Sequence, residues 1–590
     1  MQDSVIRRIF PIVNLLSGYT RQHLAGDSMA GLIVAVMLVP QGMAYALLAG
    51  LPPEAGLYAS IVPLIFYGML GSSRALSVGP VAIVSLMVAS SLAEIAETGT
   101  AGYAAGAVLL ALLSGAILLG MGAARLGFLV NFLSHPVISG FSSAAALIIG
   151  LAQLKHLIGI DIARSQHITD ILAAAYGKLD QVNLTTFALS VGTLAILLIW
   201  KGPLSRWLQQ LGIGKATADQ IAKSGPLIAV VTTTWLVWHF ALDATAGVKI
   251  VADVPVGLPP LTVPSFDLDL IRALLVPALL ISLVGFLESV SVAKSLASKR
   301  RQSINADQEL IALGTANLGA AFTGGFPVTG GFSRSLVNFA AGAVTPVASI
   351  ITAGLIALTT LFFTPLLHFL PKATLAAIIV VAVANLIDTK TLKLTLRYNR
   401  ADAASLVATF AAVLVAGIEL GIVIGALLSI ALYLWRTSRP HFAVVGRVGE
   451  TEHFRNVERH QVTVYPGVLA IRVDESLYFA NTTQLETQIL SRVAKDPSIE
   501  HCVLILSAVN FIDASALETL EIMIERLAAG GVTLHFAEIK GPVLDRLERV
   551  GFTGALAGGS IFMSTHDAIA ELEKRAQVPQ PHTGQALQQT

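Results

Sequence analysis

The stretch that decides the fold is GGFPVTGGFSRSLVN, residues 324–338, in which paired glycines and a proline interrupt an apolar region. A similar break occurs earlier, in LSVGPVAIVSLM, residues 76–87, at Gly79 and Pro80. The earlier segment is too short to cross a bilayer. Two interrupted segments in corresponding halves of a chain are typical of inverted-repeat transporters, whose half-helices begin near the membrane midplane.

The surrounding sequence is that of an α-helical polytopic membrane protein. Of the 590 residues, 54% are apolar and 13% are charged, and the mean hydropathy is +0.74. A soluble protein has about a quarter charged residues. From Ala25 to Trp435, apolar segments of bilayer-crossing length follow one another, and the pattern predicts about fourteen spans. The first span has a Pro40–Gly42 break in PQGMAYALLAGLPP, residues 40–53.

Loop charges predict the orientation. With fourteen spans and a cytoplasmic N-terminus, the basic loops fall on the cytoplasmic side, apart from the loop with Lys155 and Lys178. The sequence therefore predicts a multi-pass protein of the inner (plasma) membrane with both termini in the cytoplasm. The cytoplasmic loops hold Arg125; Lys201, Arg206, Lys215 and Lys223; Lys294, Lys299, Arg300 and Arg301; and Lys390, Lys393, Arg397 and Arg400.

Composition changes after Arg436, where charges become frequent and apolar runs shrink to strand length. Short strands such as VLAIRV and CVLILS alternate with amphipathic helices, which predicts a compact α/β domain. Its final helix begins at a Ser564-x-x-Asp567 capping box. The predicted divisions are an N-terminal segment (1–24), a membrane domain (25–436), a linker (437–461), the α/β domain (462–576) and a disordered tail (577–590).

The two half-helices predict an anion site. The first N–H groups of a helix lack intrahelical partners, and the helix dipole adds positive partial charge there. Two such N-termini facing one cavity, after Pro80 and after Pro327, would bind an anion without any charged side chain. The alternative is that these breaks are ordinary Gly/Pro kinks for close helix packing.

Two ionisable residues lie within the apolar segments, where charge is costly and marks a functional site by default. Arg334 stands in the first turn of its half-helix and can bind an oxyanion through several donors. Glu288, in VGFLESVSVAK (284–294), lies deep in its span, where desolvation disfavours the charged carboxylate, so it is a candidate proton carrier. The alternatives are a snorkelling arginine and a structural carboxylate bonded to backbone or to Arg334.

Four runs together resemble the sulfate permease (SulP) family: residues 39–60, 71–87, 288–297 with 305–318, and 326–346. The resemblance covers about Ala25 to Phe552. It implies a uracil-transporter-like fold of seven plus seven inverted spans, with gate and core domains. Our mechanistic hypothesis is an elevator-like movement of the core domain. The resemblance also implies a homodimer and a cytoplasmic C-terminal STAS domain with a possible cytosolic partner.

The resemblance also places the anion between the broken helices at 78–82 and 326–335. Glu288 matches the family's proton-coupling glutamate, which favours proton-coupled sulfate transport over bicarbonate, dicarboxylate or chloride transport. The coupling ion is then a proton, and no cofactor is expected. The substrate-binding residues implied are Gln41, Tyr45, Val81, Ala82, Val328, Thr329, Ser333 and Arg334.

Individual features of the sequence bear on the alternative functions. In the turn FIDASAL (511–517), Ala514 replaces the hydroxyl that soluble relatives phosphorylate, which argues against a phosphoswitch and mildly against an anion-sensing signalling protein. An anion channel stays open. An enzyme is disfavoured because no P-loop or metal-spaced His/Cys set occurs. The net charge of +1 predicts no nucleic-acid partner, and the single Cys502 lies in an apolar run typical of a buried thiol.

Overall fold

The computed structural model describes residues 10–16, 18–131, 134–162, 168–214, 218, 221–222, 224–574 and 580–582. Internal contacts divide the chain into one unit that ends at Ser429 and a second that begins at Ile430. Residues 1–9 of the predicted N-terminal segment lie outside the described residues. So do Lys215 and Lys223 and most of the predicted tail.

The first unit is built from helices. They are α1 (Pro11–Leu16), α2 (Arg21–Ala49), α3 (Pro53–Tyr58), α4 (Val62–Leu70), α5 (Ala82–Ala93), α6 (Ala101–Ala123), α7 (His135–Ala152), α8 (Leu154–Ile158), α9 (Ile168–Tyr176), α10 (Leu184–Lys201), α11 (Pro203–Gln210), α12 (Gly225–Phe240), α13 (Leu242–Ala246), α14 (Leu268–Lys299), α15 (Ala306–Phe322), α16 (Phe332–Ala340), α17 (Val347–Phe362), α18 (Lys372–Val383), α19 (Thr389–Tyr398), α20 (Arg400–Ala416) and α21 (Ile418–Thr437). Two short strands, β1 (Val78–Gly79) and β2 (Thr329–Gly330), precede α5 and α16.

Seven helical segments in the described part of the chain are long and apolar enough to cross a membrane, or eight if the bent pair α10–α11 is one span. Shorter apolar helices, among them α5, α12 and α17, supply further spans. One half-helix, α5, is among these short helices, and the other, α16, has only nine residues and is shorter still. A count of spans based on helix length alone is therefore too low for a chain that contains half-helices.

One predicted break is absent, because α2 runs without interruption through Pro40. Close to Pro40, α2 packs tightly on α3 at two glycines. A Cβ atom on Gly56 would lie 2.0 Å from the carbonyl oxygen of Gly42. Gly42 therefore serves close helix packing, which is the alternative reading of these glycines.

The second unit is an α/β domain. Its central strands β6, β7, β8 and β9 are parallel, and β3 pairs antiparallel with β6. The sheet order is β10-β5-β3-β6-β7-β8-β9, with β4 on β3. The elements are β3 (Phe442–Arg447), β4 (Phe454–Asn456), β5 (Val462–Val464), β6 (Val468–Val473), α22 (Thr482–Lys495), β7 (His501–Ile505), α23 (Ala514–Ala529), β8 (Thr533–Ala537), α24 (Gly541–Arg549), β9 (Ile561–Phe562), α25 (Thr565–Glu573) and β10 (Gln580–His582).

The sheet extends beyond the predicted domain at both ends. The segment predicted as a linker, 437–461, contains β3 and β4, because β3 completes the sheet beside β6 and buries Ala443 and Val445. In the predicted disordered tail, Gln580–His582 form β10 against β5. The Ser564 cap is confirmed, since its hydroxyl accepts from the Asp567 N–H. Cys502 is fully buried on β7.

Candidate functional site

The two half-helices meet through their preceding strands. Val78 pairs with Gly330 and Gly79 with Thr329 in a short antiparallel ladder. Residues from opposite halves of the chain thereby join, and α5 and α16 both begin beside the ladder. The Gly331 N–H donates to the Ser77 carbonyl at 3.1 Å and extends the connection by one residue.

A relay of hydroxyl groups holds β2 against α14. The Gly330 N–H donates to Ser289 Oγ at 2.8 Å, and Ser289 Oγ lies 2.6 Å from Thr329 Oγ1. Thr329 Oγ1 in turn donates to the Gly285 carbonyl at 2.6 Å. Since Glu288 precedes Ser289, the same helical turn that fixes the strand also places this carboxyl group.

Asn317 on α15 holds the backbone of Val328, the residue before β2, from the other side. Its Nδ2 donates to the Val328 carbonyl and its Oδ1 accepts from the Val328 N–H, both at 2.9 Å. The side-chain amide therefore acts like a neighbouring strand. The backbone that precedes α16 is buried and fully supported at this point, as irregular backbone within a membrane requires.

Arg334 is almost completely buried, with 2% of its surface exposed. Its Nη1 donates to the Pro80 carbonyl at 3.0 Å, and its Nε and Nη2 lie 3.4 Å from the Ser77 carbonyl. Two glycines adjoin the guanidinium. A Cβ atom on Gly331 would lie 3.0 Å from Nη2, which is closer than usual packing allows, whereas one on Gly79 would lie 3.4 Å away, in ordinary van der Waals contact.

These elements enclose a cavity that contains most of the predicted site residues. The space within it that the centre of a water molecule can reach is about 40 Å³, which is room for a few waters, since one water needs about 10–15 Å³ on that measure. It therefore suits a small solute. The lining residues are Gln41, Tyr45, Val81, Ala82, Ile83, Glu288, Gly331, Phe332, Ser333, Arg334, Ala382, Val383 and Leu386.

Two predicted site residues do not line the cavity. Val328 and Thr329 are buried behind it, with 3% and 1% of their surfaces exposed. Their polar groups are already bonded, the Val328 backbone to Asn317 and the Thr329 hydroxyl to Gly285. They support the half-helix α16 rather than contact a ligand.

Glu288 faces the cavity without a polar partner for one of its oxygens. Its Oε2 is buried and makes no hydrogen bond. The described residues contain no ion pair between Glu288 and Arg334. The hydrogen bonds of Arg334 go to backbone carbonyls instead. The structure therefore lacks the permanent Glu288–Arg334 pair that was one alternative for this carboxylate.

The cavity has the chemistry of an anion site. Because α5 and α16 begin at Ala82 and Phe332, their first N–H groups border the cavity. The buried guanidinium adds a full positive charge. Gln41 donates through Nε2 to Tyr45 Oη at 3.0 Å, and its Oε1 is buried and unbonded. A half-turn of the amide would present N–H groups to an anion instead.

Two buried carboxylates elsewhere among the helices of the first unit were not identified from the sequence. Glu309 Oε1 accepts from the Ser72 and Ser73 backbone and from the Ser72 hydroxyl, and Tyr67 donates to Oε2 at 2.8 Å. Asp27 accepts from the Val344 and Thr345 backbone. Each acid follows a helix start, and its remote partners leave no local sequence signal. Among the described residues, no cluster of His, Cys, Asp or Glu could hold a metal ion.

Family models match both units. The model described as "Sulfate permease family" matches residues 24–409, and the STAS domain model matches residues 459–568. The first model covers more than half of the chain and includes every predicted site residue. It leaves the α/β unit to the second model.

Similar proteins extend over nearly the whole chain. "Probable sulfate transporter 4.2" of Arabidopsis thaliana is 36% identical over 578 residues, which is 96% of this chain and 83% of that protein. A probable sulfate transporter of Mycobacterium tuberculosis is 35% identical over 559 residues, 94% of this chain and 97% of that protein. "High affinity sulfate transporter 2" of Stylosanthes hamata is 31% identical over 580 residues, 96% and 86% of the two chains.

Solved structures share the fold at lower identity. SLC26A9 superposes with a TM-score of 0.89 at 23% identity, covering 97% of this chain and 94% of that chain. The transmembrane domain of the cyanobacterial bicarbonate transporter BicA gives 0.57 at 22% identity, covering 70% and 98%. The match to SLC26A9 confirms the predicted fold class, fourteen spans in an inverted repeat with a C-terminal α/β domain. The chain belongs to the sulfate permease family.

Proposed function

We propose that this protein is a proton-coupled importer of sulfate. As a member of the sulfate permease family, it is a secondary transporter of anions and not an enzyme. The names of its plant and mycobacterial relatives favour sulfate over other small anions. Proton coupling and the direction of transport are the steps that go beyond the family.

One observation carries the proposal, the cavity between the two half-helices. Arg334 and the N-termini of α5 and α16 line it, and its small size suits a small anion. Backbone N–H groups and a guanidinium recognise the oxygens of a tetrahedral oxyanion through several hydrogen bonds at once. A halide ion would be attracted by the positive charge, but it has no separate oxygen atoms to accept hydrogen bonds from the different donors.

Glu288 is the proposed coupling residue. Its carboxyl group lies in the same cavity, with one oxygen unbonded. An ionised carboxylate beside a dianion is strongly repulsive in a region of low dielectric constant. Protonation removes this repulsion, so sulfate and a proton bind together and are released together.

An elevator-like movement would carry the site across the membrane. The hydroxyl relay, the Asn317 amide and Arg334 join α14, α15, α16 and the β1–β2 ladder into one supported group. The facing wall, Ala382, Val383 and Leu386, is apolar. Apolar contacts without directed bonds suit a surface along which the supported group slides.

The remaining features of the proposal are its setting and its partners. The positive loops favour an inner (plasma) membrane location with cytoplasmic termini. A homodimer and a cytosolic partner for the STAS domain follow from the family resemblance. Bicarbonate, as in the structural relative BicA, dicarboxylate or chloride transport is the second candidate, because each would accept the same donors.

Uptake of labelled sulfate into proteoliposomes tests the proposal. We expect accumulation that requires an inward proton gradient and that excess bicarbonate, succinate or chloride inhibits only weakly. Accumulation of sulfate without any response to the gradient would contradict proton coupling. Failure to take up sulfate, with transport of one of the competitors, would contradict the substrate.

A further inference from the structure

We propose that helix α19 is a binding site for anionic phospholipid headgroups. This helix, Thr389–Tyr398, forms the C-terminal end of the apolar segment Lys372–Tyr398, which is long enough to cross a membrane, and it lies in the chain between α18 (Lys372–Val383) and α20 (Arg400–Ala416). Only a few residues separate it from each neighbour. It is therefore held at the edge of the bilayer, where headgroups are the surrounding medium.

One face of α19 is fixed to the protein. Asp388 caps the helix by accepting from the Lys390 and Thr391 N–H groups, and Ser139 on α7 donates to the same carboxylate at 3.3 Å. Thr395 is buried, and Thr391 Oγ1 lies 3.3 Å from His135 Nε2. The orientation of the helix about its axis is thereby set.

The opposite face is basic. Lys390, Lys393 and Arg397 recur at spacings of three and four residues, so they form one stripe along the helix. All three are exposed. No ion pair between described residues involves any of them. The nearby acid, Asp388, is engaged in capping and hydrogen bonding, so the charge of the stripe is left uncompensated.

Exposed apolar side chains flank the basic stripe. Leu394 is 67% exposed, Leu396 57% and Tyr398 88%. Leu394 and Tyr398 are four residues apart and so adjoin on the surface of the helix. A basic amphipathic helix with exposed apolar residues is the pattern of a helix that lies in the membrane interface.

Charge complementarity decides the occupant. A zwitterionic headgroup offers no net charge to three uncompensated cations, whereas an anionic headgroup pairs with them through its phosphate. An acidic protein or a nucleic acid would match the charge, but neither would require large apolar residues beside the stripe. The position of the helix at the end of a membrane-crossing segment adds to the argument for lipid.

Site-specific quenching tests the proposal in the full-length protein. The chain has a single cysteine, Cys502, and it is fully buried. A Leu394→Cys variant can therefore be labelled with a fluorophore selectively and reconstituted in vesicles that contain brominated phosphatidylglycerol or brominated phosphatidylcholine. Leu427→Cys on α21, where the leucine is 62% exposed, is the matched position without a basic stripe.

At position 394, we expect brominated phosphatidylglycerol to quench at least about twofold more than brominated phosphatidylcholine, with no preference at position 427. Replacing Lys390, Lys393 and Arg397 by glutamine should abolish the preference. The equal charge change Arg459→Gln, Lys495→Gln and Arg549→Gln, in the α/β unit, should preserve it. Equal quenching by both lipids at position 394 would overturn the proposal. So would quenching by aqueous iodide alone, which would indicate a surface for water or another macromolecule.

Discussion

Arg334 Nη1 donates a hydrogen bond to the carbonyl oxygen of Pro80, 254 positions away in the sequence. The bond joins the first turn of α16 to the residue that precedes α5 by two positions. The guanidinium thus links the two half-helices and lines the cavity between them. A single side chain both shapes the site and supplies its charge.

Replacement of Arg334 should therefore have two separable effects. Arg334→Lys keeps the charge but lacks the planar guanidinium group that reaches both the Ser77 and the Pro80 carbonyls. Arg334→Ala removes both the charge and the guanidinium group. A hydrogen bond to a charged group contributes about 1.5–3 kcal/mol, so we expect sulfate affinity to fall roughly tenfold to a hundredfold in the alanine variant. Labelled-sulfate binding and uptake measure this. Wild-type affinity in Arg334→Ala would show that the helix N-termini suffice.

Gly79 should tolerate no side chain, since its φ of +155° disfavours L-residues and a Cβ atom would contact Arg334 Nη2 at 3.4 Å. We expect Gly79→Ala to lose most sulfate uptake. Gly342→Ala is the matched control, because its φ is +101° and a Cβ atom there meets nothing within 4 Å. Equal loss of uptake in both variants would indicate that backbone strain alone causes the loss. It would then give no support to a role of Gly79 in placing the Arg334 guanidinium.

Glu288→Gln should uncouple uptake from the proton gradient. The amide is neutral at every pH, so sulfate should bind without a proton, and accumulation should no longer follow the gradient. Exchange of internal for external sulfate should persist. Glu94→Gln, at the other end of α5, is a control in which the gradient response stays. A response in Glu288→Gln equal to that of the wild type would exclude this residue as the proton carrier.

The sequence predicted the half-helices because glycine and proline act locally. Breaks at Gly79–Pro80 and at Pro327 are visible without knowledge of the partner segment. The same signal failed at Pro40, where α2 stays continuous. A proline inside a helix removes one backbone hydrogen bond, but α2 continues past it and packs closely on α3 at Gly42 and Gly56, a contact that the local signal does not show.

The supporting residues of the site could not be predicted, because their partners are remote in the chain. Asn317 bonds to Val328, and Glu309 to Ser72 and Ser73. Thr329 was assigned to the ligand, yet the pairing of β1 with β2 turns its hydroxyl towards Gly285. Which way a short strand faces depends on register, and register is set by the tertiary fold.

Glu309 should be required for stability rather than for transport chemistry. Glu309→Ala leaves the Ser72 and Ser73 N–H groups unpaired, and each buried unpaired group costs about 1–3 kcal/mol. Glu309→Gln keeps an acceptor oxygen for both, while Tyr67 can reverse its hydroxyl and accept from the amide. We therefore expect a clearly lower melting temperature for the alanine variant and a small change for glutamine. Equal melting temperatures for the two variants would contradict the assigned bonds.

Acid should destabilise the α/β unit through Asp474. Burial alone would raise the pKa of this carboxyl, but hydrogen bonds from Arg472 and His441 hold it below its ordinary value of 3.8. An unfolded chain then binds more protons than the folded one near that pH. The stabilisation is complete above the ordinary pKa and is lost as the pH falls through the lower, folded pKa.

Cys502 offers a direct readout of this loss. It is fully buried, and burial raises the pKa of its thiol to about 12, so an aromatic disulfide reagent that works in acid reacts only when the domain opens. We expect the labelling rate of the full-length protein to rise steeply as the pH falls below about 4. Asp474→Asn should flatten that dependence, because asparagine does not titrate, and should label faster than the wild type at neutral pH. Asp545→Asn, which removes an exposed carboxyl on α24, should follow the wild-type curve. An unchanged pH dependence in Asp474→Asn would assign the acid sensitivity to other groups.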